Sequence, residues 1–224
     1  MCIRDRHYTY DSLKLEAAKF LIRNMPHCYS YQQGGEMDSV KRVRTYYSPF
    51  GQIDQTYARR WGHYTYRNLP KIYDAHIITA EYLIDNIDRA FDNWQKRPWN
   101  RSLSFEDFCE YLLPYRIGDE PLEEWRELYE KKYGYLLDSI YKGSDVVEAA
   151  NLVSRHLQEP VFIYCEDFEL PHIGPRYLFS HRYGSCVDAA DIVTYAFRAV
   201  GIPCMEDTDA RGGHVWNVVR DTTG

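Results

Sequence analysis

The sequence lacks the features that mark three common classes of protein. It has no apolar run of about 18 residues, the length that a membrane-spanning helix needs, and it opens on the polar MCIRDR instead of the apolar segment of a signal peptide. It has no basic block, and its 33 acidic against 27 basic residues give a net charge of −6. That balance argues against binding to nucleic-acid phosphates. We therefore expect no membrane span and no nucleic-acid partner.

Cysteine is sparse and scattered. The six cysteines are Cys2, Cys28, Cys109, Cys165, Cys186 and Cys204. They form no C-x-x-C pair and no Cys/His spacing of the zinc type, so we expect no metal, and nothing in the sequence implies an organic cofactor. Six cysteines are too few for a disulfide scaffold, although a single bridge such as Cys165 to Cys204 stays open, and so does the compartment.

What is present predicts a globular chain, since 45% of the 224 residues are hydrophobic. Residues 1–160 have mainly helical patterns. We predict helices over 13–24, 72–94, 105–113, 121–134 and 146–157, the second of them the longest, with loop and short elements over 32–67. The first predicted strand is VFIYC at 161–165, after Pro160.

Three of these helices carry end signals. Ser104 followed by Asp107 resembles a capping box, and Asp145 is placed to cap the helix over 146–157. In EPLEEWRELYEKKYG, residues 120–134, Pro121 lies near the first turn and Gly134 just past the last, the order expected of a helix start and a helix end.

The stretch GSCVDAADIVTYAFRAVGIPC, residues 184–204, places Cys186 at the start of a predicted helix. The helix has an apolar stripe, with Asp188, Asp191 and Arg198 largely outside it, and it ends at Gly201. Gly184 gives the backbone freedom for a sharp turn before the cysteine. A thiolate at a helix N-terminus is stabilised by unpaired N–H groups and by the macrodipole, so Cys186 is a candidate nucleophile.

His214 lies 28 residues beyond Cys186, in GGHVWNVV. In a strand, His214, Trp216 and Val218 share one face, and Val215, Asn217 and Val219 share the other. A cysteine and an imidazole within hydrogen-bond reach can perform thiol acyl transfer. The alternative is that Cys186 has no catalytic role and serves only as a small apolar residue in the core. Seven other histidines are available as bases but have a less defined context: His7, His27, His63, His76, His156, His172 and His181.

Residues 175–220 resemble the transglutaminase-like superfamily, which shares the papain-type catalytic core. The resemblance lies in GSCVDAAD, RAVGIPC and GHVWNV, and SFEDFCEYLLPYRIGDEPLEEWR resembles a segment that precedes this core in bacterial, largely exported, members. It implies an α+β fold, with a helical region over 1–160 and a catalytic core over 161–224. In that core the helix bearing Cys186, the nucleophile, packs on an antiparallel sheet bearing His214, the base. The implied substrate is a peptide or protein.

The third catalytic member of that family is not found at its expected place. The family carries an acidic residue on the strand after the histidine, whereas Asp221 would lie about 23 Å from His214 along an extended strand. Asn217 points to the opposite face from His214. We expect a reading frame that continues past Gly224 and supplies the acid, and a 224-residue chain that is inactive without it. MCIRDR, residues 1–6, resembles adapter-derived sequence and predicts an incomplete start.

The sequence thus predicts a cysteine-dependent amide hydrolase or acyl transferase, without choosing between water and an amine as acceptor. The alternative is a non-catalytic binding or cell-surface module with the same fold. We expect Asp188 to serve the helix N-terminus, Asp207 and Asp209 to be exposed, and Trp216 to pack in the core and shield the imidazole. Most of the 21 tyrosines are expected to cover helix faces.

Overall fold

The computed structural model describes residues 11–35, 37–41, 65–159, 161–164 and 170–221. Within them the fold is α+β, as predicted. The helices are α1 (Ser12–Asn24), α2 (Asp74–Ile77), α3 (Ala80–Lys96), α4 (Phe105–Tyr111), α5 (Arg126–Tyr135), α6 (Val146–Leu157), α7 (Pro175–Ser180) and α8 (Cys186–Ala199). The strands are β1 (Tyr29–Tyr31), β2 (Lys71–Tyr73), β3 (Ile163–Tyr164), β4 (Tyr183–Gly184), β5 (Cys204–Thr208) and β6 (Val215–Val219). They pair as antiparallel β1–β2, parallel β3–β4 and antiparallel β5–β6.

Local signals located several helices correctly. The helix predicted over 13–24 is α1. Ser104 Oγ accepts a hydrogen bond from the Asp107 N–H at 3.0 Å and starts α4. Asp145 Oδ1 accepts from the N–H groups of Val147 (2.7 Å) and Glu148 (3.0 Å) and starts α6. None of the described helices has both the length and the apolar content that crossing a membrane requires.

The single helix predicted over 72–94 is wrong in its first part. Ile72 lies in β2 opposite Ser30 of β1, and the short α2 follows. Helix α2 ends at Ile77. Thr79 Oγ1 then accepts a hydrogen bond from the Tyr82 N–H at 3.2 Å and caps α3. Strand pairing therefore overrides the helical periodicity of this segment. At 17 residues, α3 is the longest described helix.

The ends predicted from Pro121 and Gly134 are also wrong, because α5 begins only at Arg126 and tertiary contacts hold residues 121–125 outside any helix. Glu123 accepts hydrogen bonds from Tyr82 through its carbonyl oxygen and from the Arg176 N–H through its carboxylate. At the other end Gly134 lies inside α5, and the chain continues into a π-helical turn, Leu136–Ile140, that buries Leu136 and Leu137.

Two other predictions overlap positions outside the described residues. Within 32–67, the structure omits 36 and 42–64, so the expectation of loop with short elements is untested there. The strand predicted at 161–165 appears as the two residues of β3, while Cys165 is outside the described residues. Cys204 is a free thiol.

Two hydrophobic clusters form the core. The first is built on α1, α3 and α4, where the rings of Trp94 and Phe108 stack with centroids 4.4 Å apart. The second combines α5 and α6 with α8, and includes Trp99 and Cys204. The second cluster therefore crosses the predicted domain boundary at 160/161, because helices from both sides of it bury their apolar faces together.

Arg126 and the 3₁₀ segment Pro98–Ser102 connect the two clusters. The buried Arg126 guanidinium donates to Asn86 Oδ1 on α3 and to the Arg198 carbonyl oxygen on α8. Trp99 Nε1 and Asn100 Nδ2 both donate to the Gly201 carbonyl oxygen at 2.9 Å. The C-terminal end of α8 is thereby fixed to the first half of the chain.

Gly201 provides a test of this attachment. Its φ is +82°, and a Cβ there would lie 2.7 Å from the Asn93 carbonyl oxygen. We expect Gly201→Ala to lower the free energy of unfolding by about 3 kcal/mol, from the left-handed backbone and the overlap together. The matched control is Gly212→Ala, with φ +67° and open space around it, expected to cost about 1 kcal/mol. Equal losses in urea denaturation would contradict the role of the close approach.

Candidate functional site

Cys186 is the first residue of α8, and the residues around it build a sharp start for the helix. Gly184 has φ +151°, and a side chain there would overlap the Asp188 carboxylate. That carboxylate accepts from the Ser185 N–H at 2.7 Å and from Ser185 Oγ at 3.1 Å. The freedom predicted for Gly184 is therefore used, and Asp188 serves the helix N-terminus as predicted. The first turn presents its N–H groups beside the thiol.

The thiol environments of the described cysteines differ. Cys186 is half-buried and unbridged, and its sulfur makes no hydrogen bond with any residue that the structure describes. Burial raises the pKa of the Cys109 thiol to about 12 and that of Cys204 to about 11. Burial also raises the pKa of Cys28. Cys28, Cys109 and Cys204 are therefore held as neutral, weakly nucleophilic thiols near pH 7.

Strand β6 lies along the face of α8 that carries Cys186. Positions 186, 190 and 194 share one stripe of the helix. Asn217 Nδ2 donates to the Ala190 carbonyl oxygen (2.9 Å) and to Thr194 Oγ1 (2.8 Å), which fixes the middle of β6 against this stripe.

The direction of β6 brings His214 to the level of Cys186. Cys204, the partner of Val219 at the end of β6, receives the Arg198 Nε–H at its carbonyl oxygen, near the C-terminal end of α8. The start of β6 therefore lies toward the N-terminal end of α8. Three strand residues from Asn217 back to His214 span about 10 Å, and four to eight helical residues back to Cys186 span about 6–12 Å.

The His214 ring nevertheless points away from α8. Asn217 faces the helix, so Trp216 lies on the outer face of β6, where it is 39% exposed. The ring centroids of His214 and Trp216 are 6.1 Å apart, and His214 is exposed. No hydrogen bond joins His214 to Cys186 among the described residues, so their catalytic pairing stays a prediction. The prediction that Trp216 packs in the core is wrong, because the core-facing positions of β6 are the odd-numbered ones.

Two acidic residues of the β5–β6 hairpin lie outside this geometry, Asp207 in β5 and Asp209 in the connection. Asp207 is exposed, as predicted. Asp209 is half-buried instead, and its Oδ1 accepts from the Gly213 N–H at 2.6 Å. Its carboxylate therefore shapes the turn that leads into His214.

The sequence did not predict an imidazole–carboxylate pair that lies on another face of α8. His172 Nδ1 lies 2.9 Å from both carboxylate oxygens of Asp191, which is fully buried. The His172 backbone N–H donates to Asp119 Oδ1 at 2.9 Å. A side chain at Gly118 would overlap the imidazole, so that glycine makes room for it.

A third titratable group completes this cluster from the sheet side. Glu206 on β5 accepts a hydrogen bond from Thr194 Oγ1 at 3.1 Å and interacts with Asp191. Burial and the adjacent Asp191 together raise the pKa of Glu206 to about 9. Burial also raises the pKa of Asp191, to about 6.

Two opposing effects set the pKa of the His172 imidazole. Burial lowers the pKa of His172, but the charge and hydrogen bond of Asp191 outweigh it and raise the pKa to about 10. Near pH 7 the cluster therefore contains a His172 cation, an Asp191 anion and a protonated, neutral Glu206.

The signal for this cluster was present in α8 but was misinterpreted. The pattern set Asp188, Asp191 and Arg198 outside the apolar stripe, yet all three are at most 5% exposed. These three positions of the helix are buried, so their polar groups require partners from other elements. Arg198, for example, donates to the carbonyl oxygens of Tyr111, Cys204 and Arg116.

Among the described residues no group of three or more His, Cys, Asp or Glu side chains is arranged to hold a metal ion. Comparison of the chain with protein-family models, with curated proteins and with solved structures returns no match. The functional argument therefore rests on the residues and their geometry.

Proposed function

We propose that this protein is a cysteine-dependent amide hydrolase or acyl transferase with a transglutaminase-like core, and that Cys186 is its nucleophile. The observation that carries the proposal is the position of Cys186 as the half-buried first residue of α8, behind a start shaped by Gly184 and Asp188. A thiolate there faces the positive end of the helix, as thiol nucleophiles require.

The reaction follows from these positions. The Cys186 thiolate attacks the carbonyl carbon of a peptide amide, and the Cys186 N–H, with one further donor, binds the developing oxyanion. The C–N bond breaks, the leaving amine takes a proton from the His214 imidazolium, and a thioester remains. Water, or an amine in the transferase case, then attacks the thioester and releases the thiol. We favour water, because an accessible thioester is hydrolysed unless the site excludes water.

His214 must turn to take part. Its backbone lies at the level of Cys186, while its ring lies beside Trp216 on the outer face of β6. Its backbone carbonyl oxygen accepts a hydrogen bond from the Asp209 N–H at 3.1 Å, so bringing the ring to Cys186 also requires a change in the turn between β5 and β6. Catalytic hydrogen bonds commonly tighten only when substrate binds.

That outward ring is also the observation that favours the second candidate function, a non-catalytic binding or cell-surface module. In such a module Cys186 needs no imidazole, and the exposed His214 and Trp216 belong to a contact surface. The two candidates differ in the reactivity of one thiol.

Alkylation by iodoacetamide at pH 7, followed cysteine by cysteine with mass spectrometry, separates them. We expect Cys186 to react at least about tenfold faster than Cys28, because a stabilised thiolate is the reacting species. Cys28 is the matched internal control, since both thiols are half-buried and unbridged. Equal rates at the two cysteines would reject the enzyme and favour the binding module.

A further inference from the structure

An apolar groove runs along α8 from about one turn beyond Cys186, which does not itself line it. It has a volume of about 430 Å³ and lies between α6, the residues that precede β3, and α8. Leu157 and Ser154 line it from α6, Val161 and Phe162 from the other wall, and Ala189 and Val193 from α8. A volume of this size is within the range of small-ligand sites.

Helical geometry places this groove on the side of α8 that carries the thiol. At about 100° per residue, Ala189 lies about 60°, Val193 about 20° and Ile192, which also lines the groove, about 120° around the helix from Cys186. Ala189 is about 4.5 Å from Cys186 along the helix axis. Since β6 borders the same stripe on its other side, through Ala190 and Thr194, the thiol lies between the strand and the groove.

The walls of the groove favour one kind of occupant. Val161 at its edge is 75% exposed, an apolar surface that gains by being covered. Arg182 also lines the groove and is 8% exposed, and no acidic side chain among the described residues pairs with it. Its guanidinium instead donates to Tyr133 Oη and the Leu157 carbonyl oxygen. This buried positive charge disfavours a Lys or Arg side chain in the groove.

We propose that the groove is the substrate subsite of Cys186, and that it binds a large apolar side chain next to the amide that the thiol attacks. The inference rests on the proposed function, because it takes Cys186 as the reacting group. It makes the preferred substrate a peptide with an aromatic or branched aliphatic residue, and not a lysine or arginine, at that position.

Three alkylating reagents test this without a known substrate: iodoacetamide, N-benzyl iodoacetamide and N-(2-aminoethyl) iodoacetamide. Each forms the same S–C bond at Cys186 and releases iodide, so they differ only in the attached group. We expect the benzyl reagent to label Cys186 about tenfold faster than iodoacetamide, the gain of an apolar group entering an apolar pocket. The cationic reagent should show no gain, and at Cys28 the benzyl-to-plain ratio should be close to one.

Ala189→Leu narrows the groove and should bring the ratio of the benzyl to the iodoacetamide rate at Cys186 close to one. The matched control is Asn151→Leu, which adds the same side chain at an exposed position of α6 that does not line the groove. If Ala189→Leu fails to fold, Val193→Ala removes apolar lining without added bulk and should lower the preference.

The outcomes separate the two proposals. Fast iodoacetamide labelling of Cys186 with no benzyl preference, or a preference that Ala189→Leu leaves intact, overturns the subsite and keeps the enzyme. Slow labelling of Cys186 by all three reagents overturns both.

Discussion

Replacing Cys186 by alanine is expected to abolish turnover of a peptide amide while leaving the melting temperature nearly unchanged. Loss of the nucleophile costs a triad enzyme about six orders of magnitude in turnover. The half-buried thiol at the start of α8 has no hydrogen-bond partner among the described residues. Its removal therefore leaves no partner unpaired there and buries little less surface. Turnover should be measured with a generic peptide amide, and melting followed by circular dichroism.

The matched control for this prediction is Cys28→Ala, which removes another half-buried thiol. It should retain turnover. Residual activity of Cys186→Ala close to that of the unmodified protein would exclude the covalent mechanism. Loss of activity with a large fall in melting temperature would mean instead that the thiol supports the start of α8.

The same turnover assay distinguishes the roles of His214 and His172. His214→Gln should remove most of the turnover, because the leaving amine loses its acid. His172→Gln should act mainly on stability, because Asp191 would be left as a buried carboxylate without its partner. The reverse result, with turnover dependent on His172 alone, would move the acid–base role to the His172–Asp191 pair.

Signals confined to a few neighbouring residues predicted their parts of the fold well. The caps at Ser104 and Asp145 form through hydrogen bonds within three residues, and the sharp start of α8 depends on Gly184 and Asp188. Such contacts are properties of the local chain, so the sequence around them suffices.

Features that depend on distant partners could not be predicted in the same way. Residues 121–125 match a helical pattern but lie outside any helix, where Tyr82 and Arg176, more than 40 positions from Glu123 in the sequence, donate hydrogen bonds to it. His172 acquires its partner only because α7 and β4 return the chain to α8. The alternation of β6 was predicted correctly, but which face meets α8 is set by the partners of Asn217.

The free energy of unfolding is expected to fall steeply as the pH rises from 7 to 9. Burial, with the adjacent Asp191, raises the pKa of Glu206 to about 9, from about 4.3 in an unfolded chain. Asp191 raises the pKa of His172 against burial to about 10, from about 6.5. In this range the folded state therefore holds two protons that the unfolded state has lost.

The sign follows from linkage. A raised folded-state pKa gives stability that is fully present below the unfolded value and is lost as the pH rises through the folded one. For Glu206 that window is about pH 4.3–9, and for His172 it is about pH 6.5–10. From pH 7 to 9 both groups lose stability in the same direction, so the free energy of unfolding falls more steeply than one group alone would make it fall.

Glu206→Gln removes the titration of Glu206 and leaves that of His172. Glutamine preserves the shape and an acceptor for the Thr194 hydroxyl but cannot ionise. We expect this variant to lose about half of the pH dependence between pH 7 and 9, so its advantage over the unmodified protein grows with pH. The matched control is Glu110→Gln, at an exposed position of α4, which should leave the slope unchanged. Urea denaturation at pH 7, 8 and 9 gives the three slopes. A Glu206→Gln slope equal to that of the unmodified protein would show that Glu206 is already ionised at pH 7, and that Asp191 and Glu206 do not share a proton between α8 and β5.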